Sequence, residues 1–125
     1  MAEARELPVV ILTTAADPRE ADTMARSLVE ERLAACVSQV SGVKSFFHWE
    51  SRVESATESL LLVKTLVTLA PRVTARIKEL SAYDVPEILV LPVAAGNGPY
   101  LDWMRGELKG ENEGHDAAED HHTDY

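Results

Sequence analysis

Apolar and polar positions alternate between two rhythms along this chain. Pro8-Val-Val-Ile-Leu-Thr-Thr14 is a short uninterrupted apolar run rich in β-branched residues, and it reads as a buried strand. Asp17-Pro18-Arg19-Glu20 follows at once and predicts a helix start. Asp17 can accept from exposed N–H groups, Pro18 needs no acceptor, and Glu20 completes a capping-box-like arrangement. Ala21, Met24, Ala25, Leu28 and Val29 recur at helical spacing while Arg26, Glu30 and Glu31 fall elsewhere on the wheel, so one face is expected to pack. The helix is expected to end near Ala34 or Ala35. From Cys36 to Trp49 the period becomes two, with Val43, Ser45, Phe47 and Trp49 on one side and Lys44, Phe46 and His48 on the other. Glu50-Ser51 reads as a tight reversal into Arg52-Val53-Glu54 and then a second apolar run, Leu60 to Lys64, which completes a long hairpin. Thr68 is placed to cap a second helix whose stripe is Leu69, Val73, Ile77 and Leu80, with Pro71 tolerated in the first turn and the end by Tyr83. Pro86 to Val93 is the fourth strand, and its prolines favour an edge position because neither can donate to a ladder. Gly96-Asn97-Gly98-Pro99 then opens a short helix from Tyr100 to Leu108.

The order βαββαβ plus a terminal helix predicts an α/β (α+β) domain of the ferredoxin-like, split-βαβ kind, with strands one and three central. Those are the two uninterrupted apolar runs. Two helices cover only one face of a four-stranded antiparallel sheet, yet both central strands are apolar on both faces, so the second face needs cover. Another copy of the same sheet is the expected cover. An aromatic at the tip of a long hairpin is likewise too far from its own core to pack there, and Trp49 is expected to insert into a neighbouring subunit.

Composition adds limits. The 125 residues make room for one domain, expected over residues 8–109 after a short extension at 1–7. The net charge of −9 is uneven, because the six acids Glu111, Glu113, Asp116, Glu119, Asp120 and Asp124 follow Lys109 without a compensating cation, leaving about −3 for the rest. Residues 110–125 are expected to be a disordered acidic tail that also carries histidines. Nothing basic remains to neutralise phosphates in quantity, so nucleic-acid binding is not expected. No run approaches the ~18 apolar residues of a membrane span, and the start lacks the features of a signal peptide. A single cysteine, Cys36, fits a reducing compartment, and the cytoplasm is the expected location.

Candidate chemistry is sparse. Cys36 and His48 sit on one predicted strand, roughly 40 Å apart by the rise per residue, so they cannot serve one substrate within a subunit. Cys36 at a helix-to-strand junction reads as core. Gly96-Asn97-Gly98 is a fragment of the phosphate-cradling patterns and is better explained as helix entry, and Glu30-Glu31 falls on the wet side of its helix. No close pair in the body has zinc or copper spacing, whereas the tail offers His115, His121 and His122 with Asp116 and Asp120 as weak ligands for a divalent ion. Two polar–aromatic stretches stand out, Phe47-His48-Trp49-Glu50 and Tyr83-Asp84-Val85-Pro86-Glu87. Lys64 joins them as a charge at the end of a buried strand that requires a carboxylate, an anion or water.

Ile11-Leu-Thr-Thr14, Glu31-Arg-Leu-Ala-Ala-Cys36, His48-Trp49-Glu50, Leu62-Val-Lys-Thr65, Tyr83-Asp-Val-Pro-Glu-Ile88 and Tyr100-Leu-Asp-Trp103, in this order, resemble the succession of signatures in the CutA family of divalent-cation tolerance proteins. The resemblance spans residues 9 to 108. It implies a ferredoxin-like subunit in a tight homotrimer with inward-facing sheets, an architecture similar to the PII signal proteins, and a role in tolerance of copper and other divalent ions. It also implies that Trp49, Glu50, Lys64, Tyr83 and Glu87 line an inter-subunit cleft. The expected function is a binding or regulatory module for a divalent metal such as Cu2+ or a small anionic ligand, not an enzyme. The alternatives are a trimeric scaffold for a partner protein, or an enzyme at the cleft with Lys64 and Glu87 as acid–base groups and Tyr83 assisting. Three positions depart from the family: Ser81-Ala82 stands where relatives often carry His, Thr13 where some carry Cys, and Ser51 where many have Gly. The first two remove the copper ligands the resemblance would otherwise supply.

Overall fold

The computed structural model describes residues 6–113. Its elements are β1 (Pro8–Ala15), α1 (Pro18–Glu30), β2 (Cys36–Trp49), β3 (Arg52–Leu66), α2 (Ala70–Leu80), β4 (Ile88–Pro92) and α3 (Gly98–Glu113). The strands form one sheet in the order β2-β3-β1-β4, with all three pairings antiparallel. The two apolar runs are therefore the central strands, and the proline-bounded β4 lies at an edge.

Pleating assigns each residue of the central strands to a face. Val9, Ile11, Leu61 and Val63 point to the side covered by α1 and α2, where they meet Met24, Leu28, Val73 and Ile77 in a core from which Ile11, Met24, Leu28, Leu61, Val63, Val73 and Ile77 are wholly excluded from solvent. Burying each such side chain stabilises the fold by about 1.5–3 kcal/mol. The opposite face is an apolar surface over all four strands: Val10 and Leu12 lie across from Lys64 and Leu62 on β3 and from Leu91 and Leu89 on β4. Cys36, Ser38 and Val40 of β2 extend it, opposite Lys64, Leu62 and Leu60.

Several boundaries differ from expectation, that of β4 among them, which runs from Ile88 to Pro92 instead of from Pro86 to Val93. α1 stops at Glu30 instead of Ala34 or Ala35. The N–H of Leu33 reaches back to the Leu28 carbonyl and that of Arg32 to the Val29 carbonyl, with Arg32 at φ 59°, which is a Schellman ending with arginine in the left-handed position usually given to glycine. The reversal turns Leu33 and Ala34 into the core, a gain that one more helical turn would forfeit. Thr68 does not cap α2: Val67–Leu69 forms a 3-10 turn, and Leu69 occupies the cap position with no side-chain bond. Pro71 in the first turn removes one N–H that would otherwise need an acceptor. α3 begins at Gly98 rather than Tyr100 and runs to Glu113 instead of ending at Leu108. By contrast, Asp17 caps α1 as expected, accepting from the Glu20 N–H at 2.9 Å.

The hairpin outgrows the sheet. β1 pairs with β3 only between Ser59 and Leu66, so the outer part, Val43–Trp49 against Arg52–Glu58, has no third strand beside it. A register shift between Val40 and Val43, with Gly42 at φ 74°, bends β2 where it leaves the sheet.

Candidate functional site

The hairpin tip is a two-residue reversal in which Glu50 and Ser51 both have positive φ, 51° and 68°, the backbone of a type I′ turn. It holds Trp49 61% exposed and leaves Phe46 and Val53 both 67% exposed. Beside Trp49 and Phe47, Glu54 and Ser55 line a shallow concavity of about 380 Å³. The Lys44 ammonium sits 5.6 Å from the centre of the Phe46 ring. These aromatics have no core within reach along their own chain.

Tyr83 occupies the loop between α2 and β4, held by its N–H to Ser81 Oγ at 3.0 Å. Its hydroxyl donates to Glu58 Oε2 at 2.6 Å, and the other Glu58 oxygen accepts from Ser45 Oγ at 2.8 Å. One carboxylate on β3 thus ties the loop to the hairpin. Burial pushes the Tyr83 phenol above the ordinary tyrosine range, helped by the Glu58 carboxylate and by the negative charges of Glu20 and Asp17. Glu20 also accepts the Ala82 N–H at 3.2 Å, which binds the same loop to α1.

Lys64 lies half-buried on the uncovered sheet face, directly across from Cys36. Its ammonium donates to Ser38 Oγ at 2.7 Å and stands 3.7 Å from Cys36 Sγ. Among the described residues, no carboxylate stands within ion-pair distance of it. Glu87 is exposed just ahead of β4, without a hydrogen-bond partner among the described residues. The five residues expected at the cleft are therefore distributed over the tip (Trp49, Glu50), the sheet face (Lys64) and the α2–β4 loop region (Tyr83, Glu87). Within the described chain, no hydrogen bond joins any two of them. Sequence reading missed Glu58 as the partner of Tyr83, Ser45 as the second donor to Glu58, and Ser38 as partner of Lys64. No sequence signal pointed to Ser38, because pairing counted back from the tip would set it across from Val63, and only the register shift between Val40 and Val43 sets it across from Leu62 and diagonal to Lys64.

Among the described residues, no group of three or more His, Cys, Asp or Glu is disposed to hold a metal ion. Cys36 faces an ammonium that opposes a cation, and His48 stands exposed on the outer hairpin. The donors among the described residues of one chain do not make a resident cation site. His115, His121 and His122, with Asp116 and Asp120, lie outside the described residues. No helix among the described residues is long and apolar enough to cross a membrane.

Comparison with known proteins places this architecture. The family model described as CutA1 divalent ion tolerance protein matches residues 9–107. The divalent-cation tolerance protein CutA of Thermus thermophilus is 49% identical over 96 residues, which cover 77% of this chain and 93% of that protein. Its namesake from Pectobacterium atrosepticum is 41% identical over 101 residues, covering 81% and 92%. Among solved structures, the divalent cation tolerance protein of Thermus thermophilus superposes with a TM-score of 0.79 at 46% identity, covering 81% of this chain and 98% of that one. CutA1 from Oryza sativa gives a TM-score of 0.80 at 35% identity, covering 83% and 95%. With its sheet order, its long hairpin and the match over residues 9–107, this chain belongs to the CutA family of divalent-cation tolerance proteins.

Proposed function

We propose that this chain acts in divalent-cation tolerance as a homotrimeric binding or regulatory module whose ligand sites are clefts between copies, and not as an enzyme. The observation that carries this is the apolar sheet face opposite α1 and α2, where Leu89 and Leu91 are 52% and 44% exposed in the single chain. A contiguous apolar face of that kind marks an association surface. Three is the number of copies the family resemblance implies, and a closed ring would also give the exposed Trp49 a neighbour to pack on. In that assembly Trp49, Glu50, Lys64, Tyr83 and Glu87, dispersed within one chain, converge from different copies, with a divalent cation such as Cu2+ or a small anion as the ligand. A plant relative named chloroplastic and an archaeal structure named periplasmic show that the family is not confined to one compartment. For this chain we propose the cytoplasm, a reading its single cysteine supports.

Light scattering at micromolar concentration should give three times the chain mass, and a sharply monomeric mass would sink the proposal. Calorimetry with Cu2+ on the parent, Glu50→Gln and Glu87→Gln, which remove the carboxylates proposed for the clefts, should show binding weakened in both variants at unchanged trimer mass. Parent-like binding in both would move the metal away from the clefts, and a triple change of His115, His121 and His122 to Ala would then show whether the tail holds it.

A further inference from the structure

α3 crosses the end of the sheet where β1 begins and β3 ends. The Arg105 Nε donates to the Glu6 carbonyl at 3.1 Å, Arg32 Nη1 donates to the Glu107 carbonyl at 2.6 Å, and Met104 and Leu108 are buried. The helix does not seal against the strands along its whole length. Its N-terminal half leaves a cavity of about 290 Å³, walled by Val10, Val93, Tyr100, Leu101 and Met104 with Lys64 as the one charged side chain. The wall is close-packed: a Cβ added to Gly96 would stand 3.3 Å from Leu101 Cδ1.

We infer that this cavity binds a small amphiphilic monocarboxylate, with its apolar body against Leu101, Met104 and Val10 and its head group on Lys64. The assignment rests on the reading of Lys64 as a ligand-binding group and names the ligand class for it. Unlike the clefts, however, the cavity is built from a single chain.

Charge, shape and volume point the same way. Lys64 is a charged position on a largely apolar stretch of the sheet, with Val10 and Cys36 as its cross-strand partners and Leu62 and Ser38 beside them. An ammonium has three donors, and here one hydroxyl at 2.7 Å and one weak sulfur acceptor at 3.7 Å take up two of them. A half-buried cation without a carboxylate gains most from an anionic acceptor. A divalent cation would be repelled. One ammonium balances one negative charge, which argues against polyphosphates, and the volume lies at the lower end of the ~300–1,000 Å³ common for small-molecule sites. Apolar walls favour a ligand with a hydrocarbon body over a bare inorganic anion.

The test is calorimetry of the full chain with sodium hexanoate and, in parallel, with the neutral hexanamide. One saturable hexanoate site per chain is expected, with hexanamide at least about tenfold weaker, the worth of one charge-assisted hydrogen bond. Lys64→Gln should weaken hexanoate by a similar factor, Lys64→Arg should restore it, and Leu101→Trp should abolish it by filling the cavity. Thermal unfolding of each variant separates lost binding from lost fold. Equal affinity for acid and amide, undiminished binding in folded Lys64→Gln or Leu101→Trp, or no saturable heat with hexanoate would each overturn the inference. Mass measured on the same samples keeps the two proposals apart. Hexanoate binding to a monomer removes the trimer and keeps the cavity site, while a trimer that ignores hexanoate does the reverse.

Discussion

At the scale of single residues, this chain carries local strain and an unmet polar need that its sequence only partly announces. Glu50 and Ser51 both occupy left-handed backbone at the hairpin tip, a conformation that glycine adopts without a steric penalty. Ser51→Gly should therefore raise stability by about 1 kcal/mol, read as the shift in denaturant midpoint at constant slope. Thr13 Oγ1 is buried without a hydrogen-bond partner among the described residues. Thr13→Val keeps the shape and removes the unpaired hydroxyl, and a gain of about 1 kcal/mol is expected in the same assay. Tyr83 adds a pH dependence. Its folded pKa is raised above the unfolded value near ~10, so its contribution is complete below that pH and is lost as pH climbs through the folded value. Ultraviolet difference titration should show one phenol ionising later than an ordinary tyrosine, with that signal missing in Tyr83→Phe.

Between residues and the whole lies the way elements are tied together. α3 is held to the body partly through Arg32, whose backbone ends α1 and whose guanidinium donates to the Glu107 carbonyl at 2.6 Å and meets the Glu107 carboxylate at 3.4 Å. Arg32→Ala should loosen this attachment at a cost of about 1–2 kcal/mol, since the pair is only partly buried. Amide hydrogen exchange should then quicken in α3 with little change in β1 and β3. Similar protection in parent and variant would show that Met104 and Leu108 alone seat the helix. The hairpin is attached differently, through Glu58, which joins Ser45 on one strand to Tyr83 on the α2–β4 loop.

For the whole molecule, the decisive feature is a sheet with helices α1 and α2 on one face and an apolar opposite face. Leu62→Glu would place a charge at the middle of that face, opposite Leu12 and Ser38. If the copies meet through this face as proposed, it should shift the light-scattering mass from the proposed trimer towards monomer, while the helix-covered core and the far-ultraviolet dichroism stay intact. A trimer that tolerates this charge would mean that the copies meet elsewhere.

Much of this was legible in the sequence. The periods of the apolar residues set each element's type, the two uninterrupted runs marked β1 and β3 as central, and the prolines marked β4 as an edge, because these features depend on local backbone sterics and on the two faces of a pleated strand. Asp17 announced the start of α1 for the same local reason. The end of α1 and the start of α2 were less legible, the first because Leu33 and Ala34 leave the helix to fill a core that the rest of the chain builds, the second because a 3-10 turn takes the place of a Thr68 cap. The candidate site was legible as residue types and not as contacts. Tertiary structure alone decided that Tyr83 meets Glu58, that Lys64 meets Ser38 and Cys36, and that α3 leaves a cavity beside Lys64. Such meetings depend on strand register, the bend at Gly42 and the seating of a terminal helix, none of which the period of a single segment contains.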